Sequence, residues 1–219
     1  MGTLTIETEI SCSPLDYSPV RWLKDTSKDY FGKPRILSLL STILERSVQK
    51  NERLLEASQT RDFLTVFHGL REPSLSIQQY IDRIFKYSCC SSSCFIIAYI
   101  YLDRFVRRAN LCLTSRNIHR LLITSVMVAA KFMDDKFFSN AYYARVGGVT
   151  TSELNKLELK FLFGVDFQLH VSVQTFKKYS SVLRCESKGR FIERSIPLCG
   201  VEENCPNKDE PVCCPQSIS

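Results

Sequence analysis

The sequence predicts an all-α protein, and three observations carry that prediction. The stretch Ile118 to Asp135, IHRLLITSVMVAAKFMDD, sets Ile118, Leu121, Leu122, Val126, Ala129 and Met133 at the three-then-four spacing of a helix. Ile123, Met127, Val128 and Ala130 fill its other faces, and a helix apolar nearly all round is enclosed by other helices. With Thr124 and Ser125 inside an apolar run of roughly ten residues, it is too short and too polar to cross a bilayer. The second observation is a pair of capping-box patterns, Ser76 with Gln79 and Thr150 with Glu153. The third is that no stretch alternates apolar and polar residues as a half-buried strand does.

In chain order, residues 1–33 lack a sustained period and are punctuated by Pro14, Pro19 and Gly32, which reads as a flexible leader. Pro34 opens an amphipathic helix to about residue 57. Its stripe is Ile36, Leu39, Leu40, Ile43, Leu44, Val48, Leu54 and Leu55, and its solvated face carries Glu45, Arg46, Lys50 and Arg53. After a connector containing FHGLREP, a helix from Ser76 to Ser88 turns Ile77, Tyr80, Ile81, Ile84 and Phe85 inward. A serine cluster separates it from the densely apolar CFIIAYIYLDRFVRRA. Ser115 opens the central helix. Ser139-Asn140 starts a short helix that Gly147-Gly148 ends, since glycine adopts the left-handed conformation of a helix terminus. SELNKLELKFLF follows, with Leu154, Leu157 and Phe161 inward, and Ser172 caps a last helix, VQTFKKYSSVL. The expected organisation is a leader (1–33), an N-terminal helix (34–57), a helical bundle (58–184) and a flexible cysteine-containing tail (185–219).

The net charge of +6 is uneven: from Cys185 onward four basic and six acidic residues make the tail −2, leaving +8 on the rest. Ten cysteines show no CxxC pair, and His68, His119 and His170 are scattered, so the spacing gives no metal site. No phosphate loop, GxSxG, HExxH or kinase signature occurs, which points away from an enzyme, a cofactor and a small-molecule substrate. Asp134 and Asp135 project about 100° apart and read as the start of a turn. The N-terminus has neither the basic-then-apolar run of a secretory signal nor a lipidation motif. The expectation is a protein of the nucleus or cytoplasm with no membrane anchor.

Two charges stand in apolar surroundings: Lys131 beside Phe132, and Glu158 between Leu157 and Phe161. A buried unpaired charge is costly, so each needs a partner. Periodicity alone favours the plain solution, in which the two meet each other or lysine reaches water. The sharper one is a patch on adjacent helices that fastens an incoming chain's backbone while apolar neighbours supply area.

AAKFMDD and KLELKFLFGVDFQL resemble the third and fifth helices of the cyclin box, and YIYLDRF resembles its second. FHGLREPSLSIQQYIDRIFKY, HRLLITSVMVAAKF and NAYYARVGG extend the likeness to the plant P-type (U-type) cyclins, related to the phosphate-signalling cyclin of budding yeast. The resemblance implies a cyclin box that binds and activates a cyclin-dependent kinase as a heterodimer, in cell-cycle or nutrient signalling. In cyclins the third-helix lysine and the fifth-helix glutamate bond to main-chain groups of the kinase. Those positions are Lys131 and Glu158, with Phe132, Leu162, Phe167 and Leu169 as apolar anchors. The resemblance thus turns the reading of the two charges from each other towards a partner.

It also implies an internal ion pair between Arg83 and Asp103, of scaffold importance. The methionine-arginine-alanine-isoleucine-leucine motif by which cell-cycle cyclins dock substrates is missing from SIQQYIDRIFKY. A second reading, a cyclin-like nucleic-acid or transcription adaptor, rests on the basic cluster Arg104, Arg107, Arg108, Arg116, His119 and Arg120. It is the weaker one, because only Phe105 is interleaved for base stacking.

Overall fold

The structure, a computed structural model, describes residues 34–59, 64–135 and 137–186. The expectations for the leader, for the tail with Cys199, Cys205, Cys213 and Cys214, and for Cys12 lie outside those residues. The described chain forms seven helices and no strand: α1 (Arg35–Ser58), α2 (Ile77–Ser88), α3 (Ser92–Ala109), α4 (Ile118–Met133), α5 (Asn140–Gly147), α6 (Thr151–Gly164) and α7 (Val173–Glu186).

Helix α4 is the hub. Every residue from Ile118 to Ala130 except Arg120 is buried, and α2, α3, α5 and α6 all pack on it. That enclosure is what its all-round apolar sequence demands, since any exposed face would leave aliphatic surface in water. Its start is later than expected. Thr114 N–H donates to Asn117 Oδ1 at 3.0 Å, so residues 115–117 form a turn and Asn117 is the N-cap. Helix α3 runs along α4, while α1 crosses α2, α3 and α7.

Caps and stops follow local chemistry. Ser76 accepts from Gln79 N–H at 3.1 Å and Gln79 Oε1 accepts from Ser76 N–H at 3.0 Å, a complete capping box. The second box is only half made. Thr150 Oγ1 accepts from Glu153 N–H at 3.2 Å, but the Glu153 carboxylate reaches across to Arg120 instead. Ser139 and Ser172 cap α5 and α7, and Gly148 ends α5 at φ +70°. Pro34 stands at the N-cap of α1, one position ahead of the helix. The α1 stripe is rotated from the expected one: Leu37 and Asn51 are buried, whereas Leu54 is exposed. Asn51 Nδ2 donates to Leu113 O at 3.1 Å, tying α1 to the segment before α4.

Two aromatic contacts fix where α6 lies. Phe105 and Phe161 stack at 4.9 Å, and Phe67 from the connector meets Phe105 edge-on at 5.0 Å. A Cβ on Gly164 would stand 2.3 Å from Phe105 Cε2, so only glycine lets the end of α6 settle on that ring.

Candidate docking surface on α4 and α6

Lys131 lies in the last turn of α4 and Glu158 midway along α6; packing of the two helices brings Lys131 Nζ within 2.7 Å of Glu158 Oε1. The other carboxylate oxygen accepts from Asn140 Nδ2 at 2.6 Å, so the first residue of α5 joins the group. The two charged side chains are 27% and 18% exposed. In the isolated chain the charges therefore meet each other, as periodicity alone suggested, but they do so at the surface. An ammonium has three donors and a carboxylate about four acceptor sites, so both ends keep hydrogen-bonding capacity.

Around this pair the apolar residues divide. Leu162 and Leu169 are half-buried against the core, whereas Phe132 and Phe167 are mostly exposed. Met133, expected on the inward stripe of α4, is exposed because it lies in the helix's last turn; also exposed are Phe137, in the link to α5, and Leu159 and Phe163 on α6, which sequence reasoning did not single out. A signal for two of them was present: Leu159 and Phe163, with Leu162, are the apolar residues of SELNKLELKFLF off its inward stripe. Of the exposed rings, Phe163 and Phe167 meet at 5.2 Å, and grouped exposed aromatics mark contact surfaces more often than scattered ones do.

The segment after α6 is held in an unusual shape. Asp166 and Phe167 both adopt left-handed backbone, with φ of 56° and 54°. This conformation costs an L-residue roughly 1–2 kcal/mol. It is held by α3. Tyr101 Oη donates to Leu169 O at 2.6 Å, Arg104 donates to Gln168 O at 2.6 Å and His170 O at 3.0 Å, and Arg108 pairs with Asp166 at 3.1 Å. Strain maintained by such a clamp turns the Phe167 ring outward, where it meets Phe163 edge-on at 5.2 Å.

The same contacts account for the basic cluster. Arg104 and Arg108 hold the post-α6 segment, and Arg107 pairs with Asp103 at 3.0 Å. Arg116 donates to Gly69 O, and Arg120 to Val66 O and His68 O, pinning the connector. His119 is buried, with Nε2–H donating to Leu75 O at 2.8 Å and Nδ1 without a partner; burial pushes its pKa below the usual 6.5. These side chains brace the bundle rather than form a strip for phosphates.

The expected ion pair between Arg83 and Asp103 is not formed. Arg83 Nε donates to Val146 O at 2.8 Å and its Nη2 to Arg145 O at 3.3 Å, capping the carbonyl end of α5. Asp103 instead accepts from Arg107, one turn along α3, and from Tyr179 Oη at 2.5 Å. Burial pushes the Asp103 carboxyl above the usual range, against the Tyr179 and Arg107 contacts that lower it. Both residues remain scaffold, with different partners, because their elements face different neighbours.

Among the described residues the chain is a seven-helix bundle whose enclosed hub ends in a partly exposed ion pair, an architecture suited to binding a partner. The comparisons agree. The family model Cyclin matches residues 35–169. Cyclin-P3-1 of Oryza sativa subsp. japonica is 47% identical over 196 residues, covering 90% of this chain and 83% of that protein. Cyclin-U4-1 of Arabidopsis thaliana is 52% identical over 153 residues, covering 69% and 76%, and Cyclin-P4-1 of rice is 46% identical over 157, covering 70% and 74%. The chain belongs to the cyclin family and is similar to its plant P-type and U-type members. Cyclins are regulatory, non-catalytic proteins whose general role is to bind and activate cyclin-dependent kinases. Among the described residues no helix is long and apolar enough to cross a membrane.

Proposed function

We propose that this chain is the regulatory subunit of a cyclin-dependent kinase and engages it through Lys131 and Glu158. Phe132, Leu162, Phe167 and Leu169 serve as apolar anchors, and Leu159 and Phe163 widen the surface. The observation that carries this is the partly exposed Lys131–Glu158 pair on two helices that also expose Phe132, Leu159 and Phe163. Lys131 would donate to kinase carbonyls and Glu158 accept from kinase N–H groups, while the rings bury area. In the kinase, such contact moves the C-helix inward, so that its glutamate reaches the lysine holding ATP phosphates. The chemistry belongs to the kinase, so the chain itself has no turnover. Residence in nucleus or cytoplasm and a role in cell-cycle or phosphate signalling complete the reading, by likeness to the P-type cyclins.

A charge swap tests it. Lys131→Glu and Glu158→Lys together rebuild the internal pair with donor and acceptor exchanged. If the pair serves a kinase backbone, the double variant folds like the parent yet fails to co-purify with or activate a cyclin-dependent kinase. Restored binding in the double variant, after loss in each single one, would assign the pair to internal stability alone.

A further inference from the structure

The sequence spacing of the cysteines hides a cluster that folding creates. Cys90, in the link between α2 and α3, Cys94, in the first turn of α3, and Asp134, the C-cap of α4, place their two Sγ atoms and a carboxylate oxygen all within 4.8 Å of one another. We propose that these three side chains form a zinc site that joins the start of α3 to the end of α4.

Four features support the assignment. First, the donors fit the metal: a tetrahedral zinc with bonds of about 2.0–2.3 Å to sulfur and oxygen sets neighbouring ligand atoms roughly 3.5–3.8 Å apart, and all three atoms here lie within 4.8 Å of one another. Second, both thiols are buried and neither is in a disulfide. Third, the Asp134 carboxylate has no hydrogen-bond or salt-bridge partner among the described residues. Burial and the adjacent Asp135 push its pKa up, an environment short of positive charge. Fourth, an outer contact is present: Tyr143 Oη lies 3.7 Å from Cys90 Sγ, placed to donate to a thiolate. Two thiolates and a carboxylate carry −3, so a divalent ion leaves the cluster at −1, and the two thiol protons leave to solvent as the metal binds. A carboxylate among the donors favours zinc over monovalent copper, which prefers sulfur alone. Asp134 is half-buried, so the fourth position opens toward water.

Spacing failed to reveal this site because its ligands come from two elements brought together by the packing of α3 on α4. The metal would brace the last turn of α4, three residues beyond Lys131, but the inference does not rest on kinase binding.

The test uses the purified full chain, reduced and stripped of metal, titrated with zinc against a chromogenic chelator and with cobalt as a spectroscopic probe. Expected are one ion per chain, the intense thiolate-to-cobalt absorption of two sulfur ligands, release of about two protons per ion and a raised melting temperature. Asp134→Asn, at a half-exposed position that tolerates the change, lowers zinc affinity by more than the roughly 10–100-fold of losing an outer-shell partner. Cys90→Ser with Cys94→Ser abolishes the cobalt bands. A variant with Ser at Cys185, Cys199, Cys205, Cys213 and Cys214 keeps them. The proposal is overturned by no one-to-one uptake, by unchanged affinity in Asp134→Asn, or by bands that follow the tail cysteines instead.

Discussion

Two charged knots in this molecule look alike in sequence and behave oppositely in structure. Asp103 is set in the apolar α3, its side chain 2% exposed, and answered entirely from within by Arg107 and Tyr179. Lys131 and Glu158 stand in equally greasy sequence, but their pair opens to solvent, on helices that also expose Phe132, Leu159 and Phe163. The difference is one of capacity. In the first knot every strong partner is internal, and removing the aspartate orphans a buried hydroxyl. In the second, each end is bonded once or twice and can still serve an approaching backbone. A charge in an apolar stripe is therefore scaffold or contact according to whether its neighbours close over it.

The contrast can be broken experimentally, starting with the largest effect. Lys131→Glu should weaken binding to a cyclin-dependent kinase by about 2–5 kcal/mol, some thirtyfold to several thousandfold, with a melting temperature near that of the parent. Binding assays on the folded fraction, alongside thermal melts, check this. Asp103→Ala should do the reverse. Stability falls by about 1–3 kcal/mol because Tyr179 Oη loses its acceptor, whereas the half-exposed Arg107 turns to water and kinase affinity per folded molecule holds. Denaturant titration reads that loss.

The left-handed segment sharpens the comparison further. Phe167→Gly and Phe167→Ala should lose kinase affinity equally, by about 1–2 kcal/mol if the ring is an anchor. The glycine variant should be the more stable by about 1 kcal/mol, because φ 54° costs it nothing. Equal stabilities would mean the backbone there stores no strain. The smallest effect concerns His119. Its folded pKa lies below the unfolded 6.5, so between the two values the unfolded chain binds more protons and stability falls as pH falls. His119→Gln, which keeps a donor for Leu75 O, should flatten that slope in denaturant titrations run from pH 7.5 down to about 5.5.

Much of this was legible in the chain. The enclosed α4, the caps at Ser76, Ser139 and Ser172, and the stop at Gly148 are local rules, decided within a turn or two of helix. The charges at Lys131 and Glu158 stood out from the apolar pattern, whereas their role and the four apolar anchors came from resemblance, and burial separates those anchors into half-covered and exposed. Illegible were partners chosen across the fold. Arg83 reaches backbone carbonyls of α5, Glu153 leaves its own cap for Arg120, and Cys90 finds Cys94 and Asp134. A long side chain samples a sphere several residues wide, and only the packed helices decide what lies inside it. Phe67 was missed for the same reason: a lone aromatic in a connector gives no period, yet it closes the ring cluster over Phe105 and Phe161.

Gly164 has a consequence at a distance. Because its missing methyl group lets α6 rest flush on the Phe105 ring, it works like the zero mark of a vernier between α6 and α3. Any bulkier residue would have to lift or slide the helix. Glu158 would be carried off its mark opposite Lys131, though both residues would remain untouched in the sequence.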